Sequence, residues 1–177
     1  VKLLLHICCA PCTIYPLKKL GEQSFEVRGF FYNHNIHPYQ EYQKRLEAVK
    51  KYTGMAGLEM IYQDKYDLLD FLQNTAYREE NRCIYCYHSR LEATAKVARR
   101  GKFEYFSTTL LYSKLQNHER IREIGENLGK RHGVAFYYQD FREGWKEGIE
   151  VSKKLEIYRQ KYCGCIYSEK ERYRSTN

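Results

Sequence analysis

Apolar residues along this chain fall into short runs separated by stretches of helical periodicity. Lys2 to Ile7 reads as a buried strand, Val27 to Tyr32 as a second, Leu58 to Tyr62 as a third, Phe103 to Ser107 as a fourth and Val134 to Tyr138 as a fifth. Between the first two, a short helical stretch is expected near Tyr15 to Leu20. Tyr39, Tyr42, Leu46 and Val49 share one face of a helix over Pro38 to Tyr52, and Asp67 to Gln73 reads as another. Leu91, Ala95 and Ala98 stripe a helix that begins near Cys86. Asn117 is placed to cap a helix with Ile121, Ile124 and Leu128 inward, and Val151, Leu155, Tyr158 and Tyr162 predict a last helix. This alternation predicts a doubly wound α/β fold with a mostly parallel five-stranded sheet, residues 1–177 forming a single domain without linker, low-complexity segment or internal repeat.

Open parallel sheets bind ligands in the crevice beyond the carboxyl ends of their strands. Cys8 and Cys9 leave the first strand there, Asn33 and His34 the second, Thr108 and Thr109 the fourth, and Asp140 the fifth. Asn33 and Asp140 are equally apt to start turns, and His34 and His37 to lie in exposed loops.

Cysteine changes the picture most. A chain of 177 residues can bury a core without staples, so seven cysteines need another purpose. An odd count cannot pair off completely, and the groups Cys8-Cys9-Ala10-Pro11-Cys12, Cys83-Ile84-Tyr85-Cys86 and Cys163-Gly164-Cys165 have spacings suited to metal ligation or thiol exchange. Two sulfurs from Cys8-Cys9 and two from Cys83-x-x-Cys86 make a four-thiolate set for zinc or an iron-sulfur cluster, between which spacing does not choose. Cys163-Gly164-Cys165 would close only into a small, strained, readily reduced disulfide, which suits passing two electrons; the alternative is a second metal shared with Cys12. Buried inert thiols are the bland reading of all three groups.

Thirty Lys plus Arg stand against 22 Asp plus Glu, a net charge of +8, and there are 18 tyrosines. Both features suit RNA, whose phosphates attract cations and whose unpaired bases stack on rings. The candidate surfaces are Arg99, Arg100 and Lys102, in a stretch without acids, and the basic, tyrosine-rich tail with Arg159 and Arg172. A solvated basic face with tyrosines in the core explains the same composition. No apolar run is long enough to span a bilayer or act as a signal peptide, and none is expected to be missing ahead of Val1; the reading is a cytoplasmic monomer without a membrane partner.

Together the motifs His6-Ile7-Cys8-Cys9-Ala10-Pro11-Cys12, Arg82-Cys83-Ile84-Tyr85-Cys86-Tyr87 and Tyr162-Cys163-Gly164-Cys165 carry a resemblance. With Asn33-His34-Asn35-Ile36-His37-Pro38 and Glu41-Tyr42, they make nearly the whole chain similar to the cobalamin-independent epoxyqueuosine reductase family. The resemblance implies a fold like that of adenine-nucleotide α-hydrolase-like (HUP) proteins. It also implies a [4Fe–4S] cluster held by Cys8, Cys9, Cys83 and Cys86, and a redox-active pair Cys163 and Cys165. The implied reaction is two-electron deoxygenation of epoxyqueuosine to queuosine at the tRNA wobble position, fed by an external electron donor. Cys12 stays unassigned; an additional iron ion would draw on Cys12, Cys163 and Cys165. Asp140 or a nearby tyrosine is the expected proton donor, and Thr108 and Thr109 are candidates to touch the modified base. Two rivals remain. A zinc-stabilised RNA-binding protein leaves Cys163-Gly164-Cys165 idle, and a thiol-disulfide oxidoreductase leaves the other thiols and the positive charge unexplained.

Overall fold

Leu3, Leu4 and Leu5 are completely buried, as a strand covered on both faces requires, and they make β1 (Lys2–His6) the centre of the sheet. The computed structural model describes residues 1–174. Its other strands are β2 (Glu26–Phe31), β3 (Met60–Tyr62), β4 (Tyr105–Thr108) and β5 (Ala135–Phe136), all parallel, in the order β3-β2-β1-β4-β5. The helices are α1 (Ala10–Glu22), α2 (Tyr39–Met55), α3 (Leu68–Thr75), α4 (Arg82–Arg100), α5 (His118–His132), α6 (Trp145–Lys154) and α7 (Ile166–Tyr173).

Right-handed crossovers decide which face each helix covers. The chain winds outward from β1 through α1, β2 and α2 to β3, then returns through α4 to β4 on the other side of β1 and continues through α5 to β5. Accordingly α1 packs against α2 on one face while α4 and α5 pack together on the other, and α6 comes back to lie on α1. The direction of winding reverses between β1 and β4, so the crevice at their carboxyl ends is the switch point where such sheets take ligands.

Three helices depart from the expected pattern. α1 starts at Ala10, directly after Cys9, rather than near Tyr15, because Pro11 occupies the first turn, where a missing N–H costs nothing. Helix α4 starts at Arg82 instead of Cys86, fed by a 3-10 turn over Glu79–Asn81, so Cys83 and Cys86 both ride on it. The helix expected to carry Val151 through Tyr162 is α6 and stops at Lys154; Glu156 adopts a left-handed φ of 54°, and Tyr158 and Tyr162 continue outside any helix. After Cys165, whose sulfur accepts from Ser168 N–H as a cap, α7 begins. Asn117 does cap α5, accepting from Arg120 N–H. Among the described residues no helix is long and apolar enough to cross a membrane.

Candidate thiol-lined active site

The junction of β1 and β4 is tied by His6. Its Nδ1 lies 2.9 Å from Thr108 Oγ1, and its Nε2 is 3.2 Å from both the Tyr32 carbonyl and Asn33 Oδ1. Two acceptors at Nε2 place the ring proton there, while Nδ1 accepts from the Thr108 hydroxyl, which in turn accepts from Leu110 N–H. Burial, aided by the Arg90 charge, pushes His6 down to about 4, so it is a neutral brace at neutral pH. Asn33 completes the brace by donating to the Ile7 carbonyl at 2.8 Å.

One step beyond, the chain turns into α1 and presents three sulfurs. Cys9 is the N-cap and Cys12 lies in the first turn, so the Sγ atoms of Cys8, Cys9 and Cys12 all fall within 4.8 Å of one another. Thr109 Oγ1 donates to Cys8 Sγ at 3.1 Å and accepts from Cys8 N–H at 3.0 Å. Hydrogen bonds from Cys12, Cys9 and Thr109 hold the Cys8 thiol well below its ordinary value, whereas Cys12, bonded to Cys8 and Cys9, is pushed well above. Burial pushes Cys9 up as well, against a 2.9 Å bond donated by Gln160 Nε2. Three sulfurs gathered this closely are a donor set suited to a thiophilic metal, which would displace their protons on binding.

Facing this trio is the second thiol group. Burial raises Cys86 to about 12 and also raises Cys83; both feel the charges of Cys163 and Cys165, which lie nearby. The Cys163-Gly164-Cys165 bend is held by the segment after β2. Arg45 donates to the carbonyls of Cys163 at 2.6 Å and Tyr162 at 2.9 Å, and its Nε to Glu41 at 2.8 Å; Glu41 also accepts from Tyr158 at 2.6 Å. His37 N–H donates to the Gly164 carbonyl, and Tyr162 donates its hydroxyl to the His37 carbonyl. Gly164 has φ +157°, and a Cβ there would lie 3.2 Å from the Arg45 guanidinium. All seven thiols are free.

The two groups share one cleft of about 400 Å³, lined by Cys8, Cys12, Cys83, Cys163 and Cys165 among others. Its walls carry Arg45, Arg82, Arg90 and Lys161, and the one carboxylate among the described lining residues, Glu171, is paired with Arg82 at 2.6 Å. Sequence reasoning missed Asn35, Gln116 and Gln160, whose amides line the cleft; Gln116 Nε2 approaches Cys163 Sγ at 3.5 Å. Nothing in their spacing marks them. Arg45 and Glu41 had a faint signal, the i,i+4 opposite charges on a helix.

Asp140 is not on the cleft lining and is bound twice over by Arg142, which holds its carboxyl down at about 2. Thr108 and Thr109 are fully buried and occupied in bracing His6 and Cys8, so neither reaches a base. Arg99 and Arg100 end α4, while Cys83 lies in its first turn, about 24 Å away at the helical rise per residue. That patch, with Lys102, therefore lies at the opposite end of the sheet from the cleft. Arg159 and Arg172 are exposed on the segments that carry the Cys163-Gly164-Cys165 bend.

Fold and site define a doubly wound, parallel α/β domain with a thiol-lined cleft at its switch point. A model of the family described as "Epoxyqueuosine reductase QueH" matches residues 3–171, and the chain belongs to that family. It is 42% identical over 176 residues to the epoxyqueuosine reductase of Dehalococcoides mccartyi, covering 99% of this chain and 97% of that one. With the Thermotoga maritima relative of the same name identity is 39%, covering 96% and 91%. Among solved structures, the U34-tRNA thiolase NcsA of Methanococcus maripaludis with its [4Fe-4S] cluster superposes at a TM-score of 0.60 and 14% identity, over 95% of this chain and 61% of that one. A predicted tRNA methyltransferase subunit of Methanocaldococcus jannaschii gives 0.57 and 9%, over 86% and 74%. At those identities the likeness is one of fold.

Proposed function

We propose that the protein reduces epoxyqueuosine in tRNA to queuosine, with an iron-sulfur cluster bound by cleft thiolates. The reaction adds two electrons and two protons to the epoxide, breaks both of its C–O bonds, and yields an alkene and water. The observation that carries the reading is the convergence of all three cysteine groups on one cationic cleft, in a chain of the epoxyqueuosine reductase family. The cluster is assigned to Cys8, Cys9, Cys83 and Cys86; the first two belong to the sulfur trio, whose spacing fits thiolate–metal bonding. When bound, it supplies electrons one at a time, drawn from an external donor. Cys12, Cys163 and Cys165 remain for a second iron, or the last two act as a dithiol that delivers the electron pair and closes to a disulfide.

The chain's own residues provide positioning and protons. Neutral His6 and Thr109 hold the Cys8 loop, and the Arg45–Glu41 pair holds Cys163 and Cys165 toward the cleft. With Asp140 bound to Arg142 and Glu171 to Arg82, the proton-bearing groups on the wall include the Cys12 thiol and the Tyr87 hydroxyl, which donates to Gln116. The tRNA is held by cations around the cleft, its modified base entering from the splayed anticodon loop. The test is anaerobic purification with iron, sulfide, zinc and visible-spectrum measurements, followed by an assay on epoxyqueuosine tRNA. About four irons and four sulfides per chain and conversion to queuosine are expected. A colourless protein with stoichiometric zinc and no turnover would replace this reading with a zinc-stabilised RNA-binding one.

A further inference from the structure

Arg90 is 3% exposed, yet among the described residues no carboxylate comes within ion-pairing distance of it. The other two arginines on the cleft wall differ: Arg45 is paired with Glu41 and Arg82 with Glu171. Arg90 stands one helical turn beyond Cys86 on α4 and donates from Nε to the Cys86 carbonyl at 2.9 Å, which fixes the side chain along the helix. Its remaining N–H groups have no hydrogen-bond partner among the described residues, and the side chain lines the cleft. The charge sits centrally, for it acts on Cys83 and Cys86 on its own helix, on His6 of β1, and on His34 after β2. The groups facing it from neighbouring elements are thus thiols and neutral histidines.

A buried guanidinium without a counter-ion is strongly unfavourable, and a chain that keeps one must present it to an anion that arrives later. Several thiolates around a divalent or cluster metal leave the assembly negative overall. A phosphate of a folded RNA is the other available anion, but a group 97% shielded behind the cleft wall is poorly placed to meet a polymer backbone. We infer that Arg90 is the built-in counter-charge of the metal–thiolate centre, a positioning residue that stabilises the anionic assembly from beneath the cleft. The inference rests on the metal–thiolate reading above and deepens it. It also explains why α4 carries an arginine one turn past Cys86, where a core helix would otherwise place an apolar side chain.

The test uses Co2+ alone as probe, on the full chain stripped of metal, read by the thiolate-to-cobalt charge-transfer absorption. Arg90→Met keeps the length and packing of the side chain while removing its charge; Arg90→Lys keeps the charge and loses the bond to the Cys86 carbonyl. Far-ultraviolet circular dichroism confirms that each variant folds. Arg90→Met should weaken Co2+ binding about tenfold or more, as loss of one buried charge near several thiolates requires, and Arg90→Lys should bind within a few-fold of wild type. Equal affinity in all three proteins would overturn the inference, as would equal weakening in both variants, which would make Arg90 a purely structural prop. Unchanged Co2+ affinity with weaker tRNA binding in Arg90→Met would overturn it in favour of a phosphate. A wild-type protein with no thiolate-to-cobalt band would instead sink the metal–thiolate reading itself.

Discussion

Arg45 on α2 donates to the carbonyl oxygen of Cys163 at 2.6 Å, so a helix 118 residues upstream shapes the last cysteine motif. The same guanidinium is bonded to Glu41, both side chains being almost wholly buried. Arg45→Ala strips two carbonyls of their donor and leaves Glu41 buried without its charge partner. Breaking such a pair costs about 3–5 kcal/mol. Urea unfolding should show a lowered midpoint, and activity should fall because Cys163 and Cys165 lose their support.

Gly164→Ala asks the same bend to accept a side chain at φ +157°, with the new Cβ 3.2 Å from the Arg45 guanidinium. The strain is about 1–3 kcal/mol. Circular dichroism should show an intact α/β fold while turnover of epoxyqueuosine tRNA drops sharply. A fully active Gly164→Ala protein would separate the bend from catalysis.

Single serine substitutions should sort the thiols by role. Cys8→Ser, Cys9→Ser, Cys83→Ser and Cys86→Ser should each lose iron and visible absorption. Cys163→Ser and Cys165→Ser should keep the cluster and its visible absorption and lose turnover. Cys12 lies within 4.8 Å of both Cys8 and Cys9, so Cys12→Ser should disturb either iron content or rate. Full iron with full activity would remove Cys12 from the mechanism.

Burial lowers His34 to about 3 and His37 to about 4, below the ordinary value of 6.5. Below that value the unfolded chain takes up protons that the folded chain refuses, so their contribution to stability is complete above about pH 6.5. It is lost as the pH falls toward about 4, by up to about 1.4 kcal/mol per pH unit for each histidine. Urea midpoints measured at about pH 7 and about pH 5 should differ in that direction, and His34→Gln should make the difference smaller.

Arg99 and Arg100 lie far from the cleft at the other end of α4, so a tRNA that touched them would do so away from its modified nucleotide. Arg99→Gln with Arg100→Gln should weaken binding for all tRNAs alike and lower the salt slope by about 1–2, with turnover of bound tRNA unchanged. If affinity and slope both stayed the same, this patch would not be an RNA surface.

The alternation of strands and helices was legible because both periodicities act through local burial: Leu3 to Leu5 can only be a covered strand, and Asn117 can cap α5 whatever surrounds it. The gathering of Cys8, Cys9 and Cys12 was likewise legible, since residues so close in the chain stay close in space. What the chain could not disclose alone depends on contacts between distant segments. The approach of Cys163 to Cys83 and Cys86, the bond from Gln160 to Cys9, and the engagement of Asp140 by Arg142 have no periodic signature. The Tyr158 and Tyr162 stripe misled for the same reason: these rings are placed by Glu41 and His37 across the fold, and no helix is needed to hold them. Tertiary structure also decided which charges are spent, pairing Arg45 and Arg82 while giving Arg90 no carboxylate partner among the described residues, because the partner of a buried charge is chosen by packing in three dimensions.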